Sequence, residues 1–380
     1  MTPVRVAHVV HGLVPGGAER ILLSVLESVD RDRFDSLIVC LDEPGSLAPE
    51  ARGLGFEPIV LGRSRRRDIG VVLRLARLFA HERVSIAQGW LPLPATVARA
   101  AAVTARVPVR IYYEAASDPT PDPRRARRNA RLERLLAPFT DAYVANSEAV
   151  AAALRDGLRA DPAKITVIPN GIAVPEPIGR EERERLRAEL GAKPGDRLVG
   201  MVARLDLHYK DQPTFLRAVA LLAAEGRPIR AAVVGDGSGR DELERLAAEL
   251  GIVDRVEFTG FRRDGARLAQ ALDVAALLSH SEGFSQVVLE SMAAGVPLVA
   301  TAIPPNREAV EDGVHGLLVT PGDAPAAATA IGRLLDDPEL ASRLGAAAKA
   351  RATDRYSPAS QADATMDLYD RLLVNRRAAP

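Results

Sequence analysis

Short runs of Val, Ile, Leu and Ala alternate along the chain with longer stretches in which apolar residues recur every three or four positions. A strand covered by helices on both faces is apolar throughout, while each covering helix keeps a polar face, so this alternation predicts strand-helix-strand units around parallel sheets. In the first half it predicts strands near Val4–Val10, Ser36–Leu41, Pro58–Leu61, Ser85–Gln88, Val109–Tyr113, Ala142–Ala145 and Ile165–Ile168. The second half restarts the pattern near Leu198–Arg204, Arg230–Val234, Val256–Thr259, Val274–Leu278, Leu298–Thr301 and Gly316–Val319. Phe215, Leu216, Val219 and Leu222 mark the core face of one helix, and Leu243, Leu246 and Leu250 that of another, with Ser238 placed to cap it. Proline and glycine concentrate in IPNGIAVPEPIGR from Ile168, which predicts a linker near Gly171 to Gly179. The fold class is therefore α/β, two doubly wound domains facing a central cleft. Residues 1–172 form the first, 173–358 the second, and a helix over 359–380 crosses back to the first.

The chain has 380 residues, 47% of them hydrophobic and 26% charged, which fits two or three globular domains and excludes a disordered or fibrous chain. The longest apolar stretches, such as Met292 to Ile303, are too short to span a bilayer as a helix. The N-terminal run after Arg5 is too short for a secretion leader, so the expectation is a cytoplasmic protein. Cys40 is the only cysteine, which excludes an internal disulfide and a cysteine-based zinc site. The histidines are scattered, and the close pair His8 and His11 lacks a third ligand nearby, so no metal is expected.

Equal numbers of basic and acidic side chains, 50 each, hide an asymmetry. Residues 1 to 170 hold 24 basic and 19 acidic residues, leaving 26 and 31 for the rest. Between residues 63 and 134 there are 16 arginines against 6 acids, including RSRRRD from Arg63 and RRARRNARLERLLAPF from Arg124. One reading is a pair of solvated helix faces; the other is a surface for an anionic membrane or an anionic, lipid-linked acceptor. No aromatic residues interleave the main arginine runs as stacking platforms, so nucleic acid is not an expected partner.

Two segments carry chemistry. PGGAER from Pro15 follows the first predicted strand and opens a helix, where Gly16 and Gly17 let backbone amides approach an anion; a plain tight turn explains them as well. LSHSEGFSQVVLESMAAGVPLVAT from Leu278 reads as strand, loop and helix, with Glu282 ending the strand, Gly283 and Ser285 at the turn, and Glu290 about one turn into the helix. The amides of Phe284, Ser285, Gln286 and Val287 would offer an anion site, and two carboxylates beside it need hydroxyl donors of their own, as a sugar supplies; the plainer reading is a solvated Glu290 and a Glu282 that caps the helix.

The spacing Glu282, seven residues, Glu290 resembles the motif of the retaining glycosyltransferases of family 4, whose GT-B fold pairs two Rossmann-like domains. PGGAER, VANSEAV, IPNGI, MVARLDLHYKDQPTFLRA, VVGDGSGRDELE and FTGF resemble further segments of that family in the same order. The resemblance implies a donor that is a nucleotide-diphosphate sugar, with uridine or guanosine diphosphate expected, and no cofactor or metal. It implies that Arg204 and Lys210 hold the diphosphate, that Glu290 binds the ribose and that Glu282 contacts the transferred sugar; a structural surface salt bridge is the alternative for Lys210. Gly16 and Gly17 would close on the phosphates, Gly235, Asp236 and Gly237 would line the nucleotide side, and backbone groups around Phe261 and Arg262 would read the base. The sequence departs from the family after VRIYYEAASD, which offers Tyr112, Tyr113 and Glu114 where many members have a histidine; Glu114 is the candidate stabiliser or acceptor base. Glu19 reads as a helix first-turn acid. No Asp-x-Asp motif stands where a metal-dependent transferase needs one. Retaining transfer to an acceptor hydroxyl is the expected reaction, in cell-surface polysaccharide, glycolipid or natural-product glycosylation. The rivals are a nucleotide-sugar epimerase or hydrolase on the same architecture and a two-lobed binding protein without catalysis.

Overall fold

The computed structural model describes residues 2–14, 16–63, 68–115, 123–262 and 264–378. Pro15, Arg65, Arg66 and Arg67 lie outside the described residues, as does 116–122 with the end of VRIYYEAASD; side chains at 123–129 and 377–378 are likewise outside the description. The chain divides into two compact units, one holding everything up to Gly171 and again from Pro358, the other Ile172–Ser357.

Among the described residues the first unit has one parallel sheet of β1 (Val4–Val10), β2 (Phe34–Cys40), β3 (Ile59–Val60), β4 (Ile86–Trp90), β5 (Val109–Glu114), β6 (Ala142–Ala145) and β7 (Ile165–Val167), in the order β3-β2-β1-β4-β5-β6-β7. Its apolar runs follow from helices on both faces. Val6 and Val10 of β1 share a buried cluster with Ile21 and Leu22 of the helix Gly17–Ser28 and with Met366 and Tyr369 of the last helix, Pro358–Ala378. Ala7 and Val9, on the opposite face, cluster with Leu75 and Phe79 of Gly70–His81 and with Ala98 and Ala102 of Pro92–Thr104. Polar pairs fix the last helix here: the Tyr369 hydroxyl donates to Gln88 Oε1 at 2.5 Å, and Gln361 Oε1 accepts from the Gly171 amide at 2.9 Å.

His8 sits in the middle of β1, fully buried. Trp90 Nε1, which can only donate, points at His8 Nδ1 at 3.3 Å, so the ring carries its proton on Nε2, 3.4 Å from Ser36 Oγ. Burial holds its pKa down at about 3.

The second unit has a parallel sheet of β8 (Arg197–Val202), β9 (Ile229–Val234), β10 (Val256–Gly260), β11 (Val274–Leu277), β12 (Leu298–Thr301) and β13 (Leu317–Val319), ordered β10-β9-β8-β11-β12-β13. Val199, Met201, Phe215, Leu216, Val219 and Leu243 join one buried core. Two local expectations are corrected. Ser238 does not cap the helix it precedes: that helix is Arg240–Glu249, its N-cap is Gly239, and among the described residues no side chain makes the capping hydrogen bond. The loop is instead drawn onto Leu205, whose carbonyl accepts from the Gly239 amide at 3.1 Å. Glu282 does not end a strand, because β11 stops at Leu277 and Glu282 lies in the loop before the helix Gln286–Ala294. Among the described residues no helix is long and apolar enough to cross a membrane.

Candidate functional site

In an open parallel sheet the ligand crevice lies beyond the carboxyl ends of the strands where the order reverses. In the second unit that point is between β8 and β11. Arg204 and Lys210 lie on the segment after β8, and Ser279 to Ser285 on the segment after β11. The predicted residues of this unit are therefore brought to one edge of one sheet.

The two cations are in different situations. Arg204 is largely exposed, with Asp206 Oδ2 at 3.3 Å from its guanidinium. Lys210 is mostly buried and donates from Nζ to Glu282 Oε1 at 2.6 Å; the buried Ser279 hydroxyl donates to the same oxygen at 2.6 Å. The backbone around Lys210 is fixed from both sides. Its amide bonds the Asp206 carbonyl at 2.9 Å, and the Tyr209 carbonyl accepts from the His280 amide at 2.8 Å. Asp211 follows in left-handed backbone, φ 45° and ψ 45°, and caps the helix Gln212–Ala224 by accepting from the Thr214 amide at 3.2 Å.

Ser285 is the N-cap of Gln286–Ala294, its hydroxyl accepting from the Val288 amide at 3.4 Å. The first-turn amides of Gln286 and Val287 have no carbonyl four residues back inside the helix, which gives this end its positive character. Phe284 is buried edge-on against Tyr356, ring centroids 5.3 Å apart, and so anchors the turn after Gly283 rather than lining it. Glu290 Oε2 lies 4.0 Å from where a Cβ on Gly265 would stand, at the start of the short helix Gly265–Ala269 that follows β10. Phe261, half exposed, precedes that helix. The Arg262 side chain is committed to Asp264 at 2.8 Å and Glu189 at 3.0 Å. Asp236 accepts from the Gly237 amide at 2.8 Å. Gly235, at φ +146°, passes so close to Ala203 that a Cβ would stand 1.9 Å from its carbonyl oxygen.

In the first unit the order reverses between β1 and β4. Gly16 caps Gly17–Ser28 with extended backbone, and a Cβ on it would stand 2.4 Å from Glu19 Oε2, whereas one on Gly17 would meet nothing within 4 Å. Glu19 is a first-turn acid, as expected, but a buried one, and burial pushes its carboxyl pKa up. Glu114 ends β5, buried; its Oε2 accepts from the Tyr112 hydroxyl at 2.5 Å and its Oε1 from the Ala115 amide at 3.0 Å. The Tyr112 ring lies under the Arg99 guanidinium at 4.8 Å, and Arg99 is held by Glu133 at 2.5 and 2.6 Å. Burial, and then the adjacent Glu114 carboxylate, raise the Tyr112 pKa well above its ordinary value, so its hydroxyl stays a donor. His11, beyond β1, faces Asp42 at 3.3 Å, and Arg63 grips the same carboxylate at 2.6 and 3.0 Å. Burial alone would raise the Asp42 pKa, but Arg63 and His11 bring it below the usual carboxylate range.

Sequence reading missed Ser279, Asp211 and His280 as partners of the named residues. For Asp211 a signal exists, an aspartate two residues before Pro213, which is the pattern of a helix cap. Ser279 and His280 carry none, since their relevance arises only when the segment after β11 lies against the segment after β8.

Residues 15–174 match the family model described as Glycosyltransferase Family 4, and residues 182–351 the one described as Glycosyl transferases group 1. The chain is similar to a D-inositol 3-phosphate glycosyltransferase of Streptomyces griseus, 36% identical over 263 residues that make up 63% of this chain and 55% of that protein. It thus spans about half the length of the curated relatives it matches. Among solved structures it is similar to Anabaena HepE in complex with UDP and glucose, with TM-score 0.86 and 25% identity over 97% of this chain and all of that one. The same protein in complex with UDP-glucose gives TM-score 0.85 and 26% identity over 96% and 99%. With both halves matched in order and both sheets wound as the GT-B fold requires, the chain belongs to glycosyltransferase family 4.

Proposed function

We propose that the chain transfers a sugar from a nucleotide-diphosphate sugar to an acceptor hydroxyl, with retention at the anomeric carbon and without a divalent metal. The observation that carries the reading is the β8/β11 crevice, where Arg204, Lys210 and a helix N-terminus stand with Glu282 at one sheet edge, and Glu290 follows in that helix. Breaking the anomeric C–O bond builds negative charge on the departing diphosphate. Arg204, Lys210 and the amides of Gln286 and Val287 supply the opposing charge, which is the role a metal would otherwise fill. The acceptor oxygen bonds to the anomeric carbon on the face the diphosphate leaves, and the departing phosphate oxygen takes the hydroxyl proton, so no enzyme nucleophile is needed. Glu282 orients the transferred sugar and Glu290 the ribose. UDP is named with the structural relative HepE, which supports a uridine nucleotide here, with guanosine as the second choice.

The acceptor is assigned to the first unit, on the cytoplasmic side of a membrane, in polysaccharide, glycolipid or natural-product glycosylation. Leu135 is strongly exposed beside Arg134 on the helix Pro123–Leu136, and Leu132 and Phe139 are exposed near it. A basic, apolar-tipped helix suits an anionic or lipid-linked acceptor at a membrane face.

The test is a panel of UDP- and GDP-sugars assayed for binding, then for nucleotide release with candidate acceptors, with the product anomer read by NMR and the rate repeated in EDTA. An inverted product or a rate abolished by EDTA overturns the corresponding part. Release that never depends on acceptor favours the hydrolase rival. Sedimentation with liposomes tests the surface, and equal partitioning with and without anionic lipid rejects it.

A further inference from the structure

Lys210 and Glu282 were expected to serve different parts of the donor, yet they are bonded to each other at 2.6 Å. The pair is substantially withdrawn from water, with side chains 20% and 9% exposed. Ser279 Oγ holds the same Glu282 oxygen at 2.6 Å and keeps it aimed at the ammonium. The main chain beside Lys210 is fixed through the Tyr209 carbonyl and the Asp211 cap, so the ammonium pivots about a fixed root and cannot withdraw with its backbone. Arg204 differs: it is 71% exposed, with Asp206 at 3.3 Å.

We infer that Glu282 competes with the donor's diphosphate for Lys210, so that the site discriminates a sugar nucleotide from a bare nucleoside diphosphate; this rests on the donor-site reading given above. A diphosphate that takes Lys210 leaves a shielded carboxylate short of a donor, which is unfavourable. A hydroxyl of the transferred sugar donates to Glu282 and replaces the ammonium. A nucleoside diphosphate brings no such hydroxyl to that point, so it takes Lys210 only at the expense of the carboxylate. Sugar and diphosphate binding are thereby coupled. Once the sugar has moved to the acceptor, Lys210 returns to Glu282 and the product nucleotide is released more readily.

The experiment is calorimetric titration of the full chain with UDP and with GDP. Glu282→Gln keeps the shape and removes the charge, and is expected to tighten the nucleoside diphosphate that binds by about tenfold, within the range a close charge pair commands. Glu282→Ala is the second variant should the first not fold. In a Lys210→Gln background the same change is expected to bring no gain. Unchanged or weaker binding by both Glu282 variants overturns the competition, and so does an equal gain in the Lys210→Gln background. If Lys210→Gln leaves nucleotide binding as it was, or the wild-type chain binds neither nucleotide, the donor-site reading itself falls. If Lys210→Gln weakens binding while the Glu282 changes do not tighten it, only the competition falls.

Discussion

Asp211 and His280 face each other at 3.3 Å, carboxylate Oδ2 to imidazole Nε2, where the His280 amide, donating to the Tyr209 carbonyl at 2.8 Å, ties the segment after β11 to the segment after β8. Asp211 faces His280 from left-handed backbone, a conformation that costs most residues about 1 kcal/mol and that Asp and Asn tolerate best. The other carboxylate oxygen caps Gln212–Ala224. Asp211→Asn keeps both the cap and the backbone preference, so it is expected to leave stability within about 0.5 kcal/mol. Asp211→Ala loses the cap and carries the backbone strain, and is expected to cost about 2 kcal/mol. Urea unfolding checks both, and equal losses in the two variants would show that the charge facing His280, and not the cap, is what holds this loop.

Lys210→Ala and Arg204→Ala are each expected to lower turnover at least a hundredfold, the scale on which a single stabiliser of transition-state charge acts. The two differ in where the loss falls. Arg204 is exposed, so its removal should leave the thermal midpoint nearly unchanged. Lys210→Ala takes the cation away from a largely buried Glu282 and should lower the midpoint as well. Near wild-type rates in either variant, measured with saturating donor, would count against the diphosphate site.

Arg99 is completely buried and grips Glu133 with both guanidinium ends, with Thr140 at 2.8 Å and the Tyr143 hydroxyl at 2.9 Å completing the group. Removing one partner leaves the other charged in a dry interior, so Arg99→Met is expected to destabilise by about 3–5 kcal/mol. Arg99→Met with Glu133→Leu removes both charges and should recover most of that loss. Denaturant midpoints of the single and double variants decide it; a double variant as unstable as the single one would mean that shape, and not stranded charge, sets the penalty.

The strands were legible because a parallel sheet buried on both faces prints its core as uninterrupted apolar runs, as Val274 to Leu277 show. The turn and helix N-terminus after β11 were legible too, because Gly283, Ser285 and the helix after them are close in sequence. What stayed hidden is contact between segments far apart along the chain. Nothing near Lys210 announces Glu282, 72 residues on, as its partner. Glu19 reads as an ordinary first-turn acid until packing covers it. Arg99 looks like one more arginine in a chain that favours arginine, and only the fold sets it against Glu133. Ser238 misled because capping preference is local, whereas the approach of Gly239 to Leu205 is not.

The buried His8 sets an acid limit on the first unit. Its pKa is about 3 in the folded chain against an ordinary value of 6.5, lowered by burial. Above pH 6.5 the ring is neutral in both folded and unfolded chains, and its contribution is complete. As the pH falls from 6.5 toward 3 the unfolded chain takes up a proton that the folded chain refuses, so stability is lost, at a rate approaching about 1.4 kcal/mol per pH unit for this one group. Below about 3 both forms bind the proton and this loss levels off. His8→Gln puts in a side chain that does not titrate and whose amide oxygen can still accept from Trp90, so its urea midpoint should change less between pH 6.5 and 5, before most carboxylates titrate. The slope is the readout, not the absolute stability, which repacking shifts at every pH. Equal slopes for wild type and His8→Gln would mean that the folded chain protonates His8 at ordinary pH, and the Trp90 to His8 hydrogen bond, which needs a bare Nδ1, would then have to be abandoned.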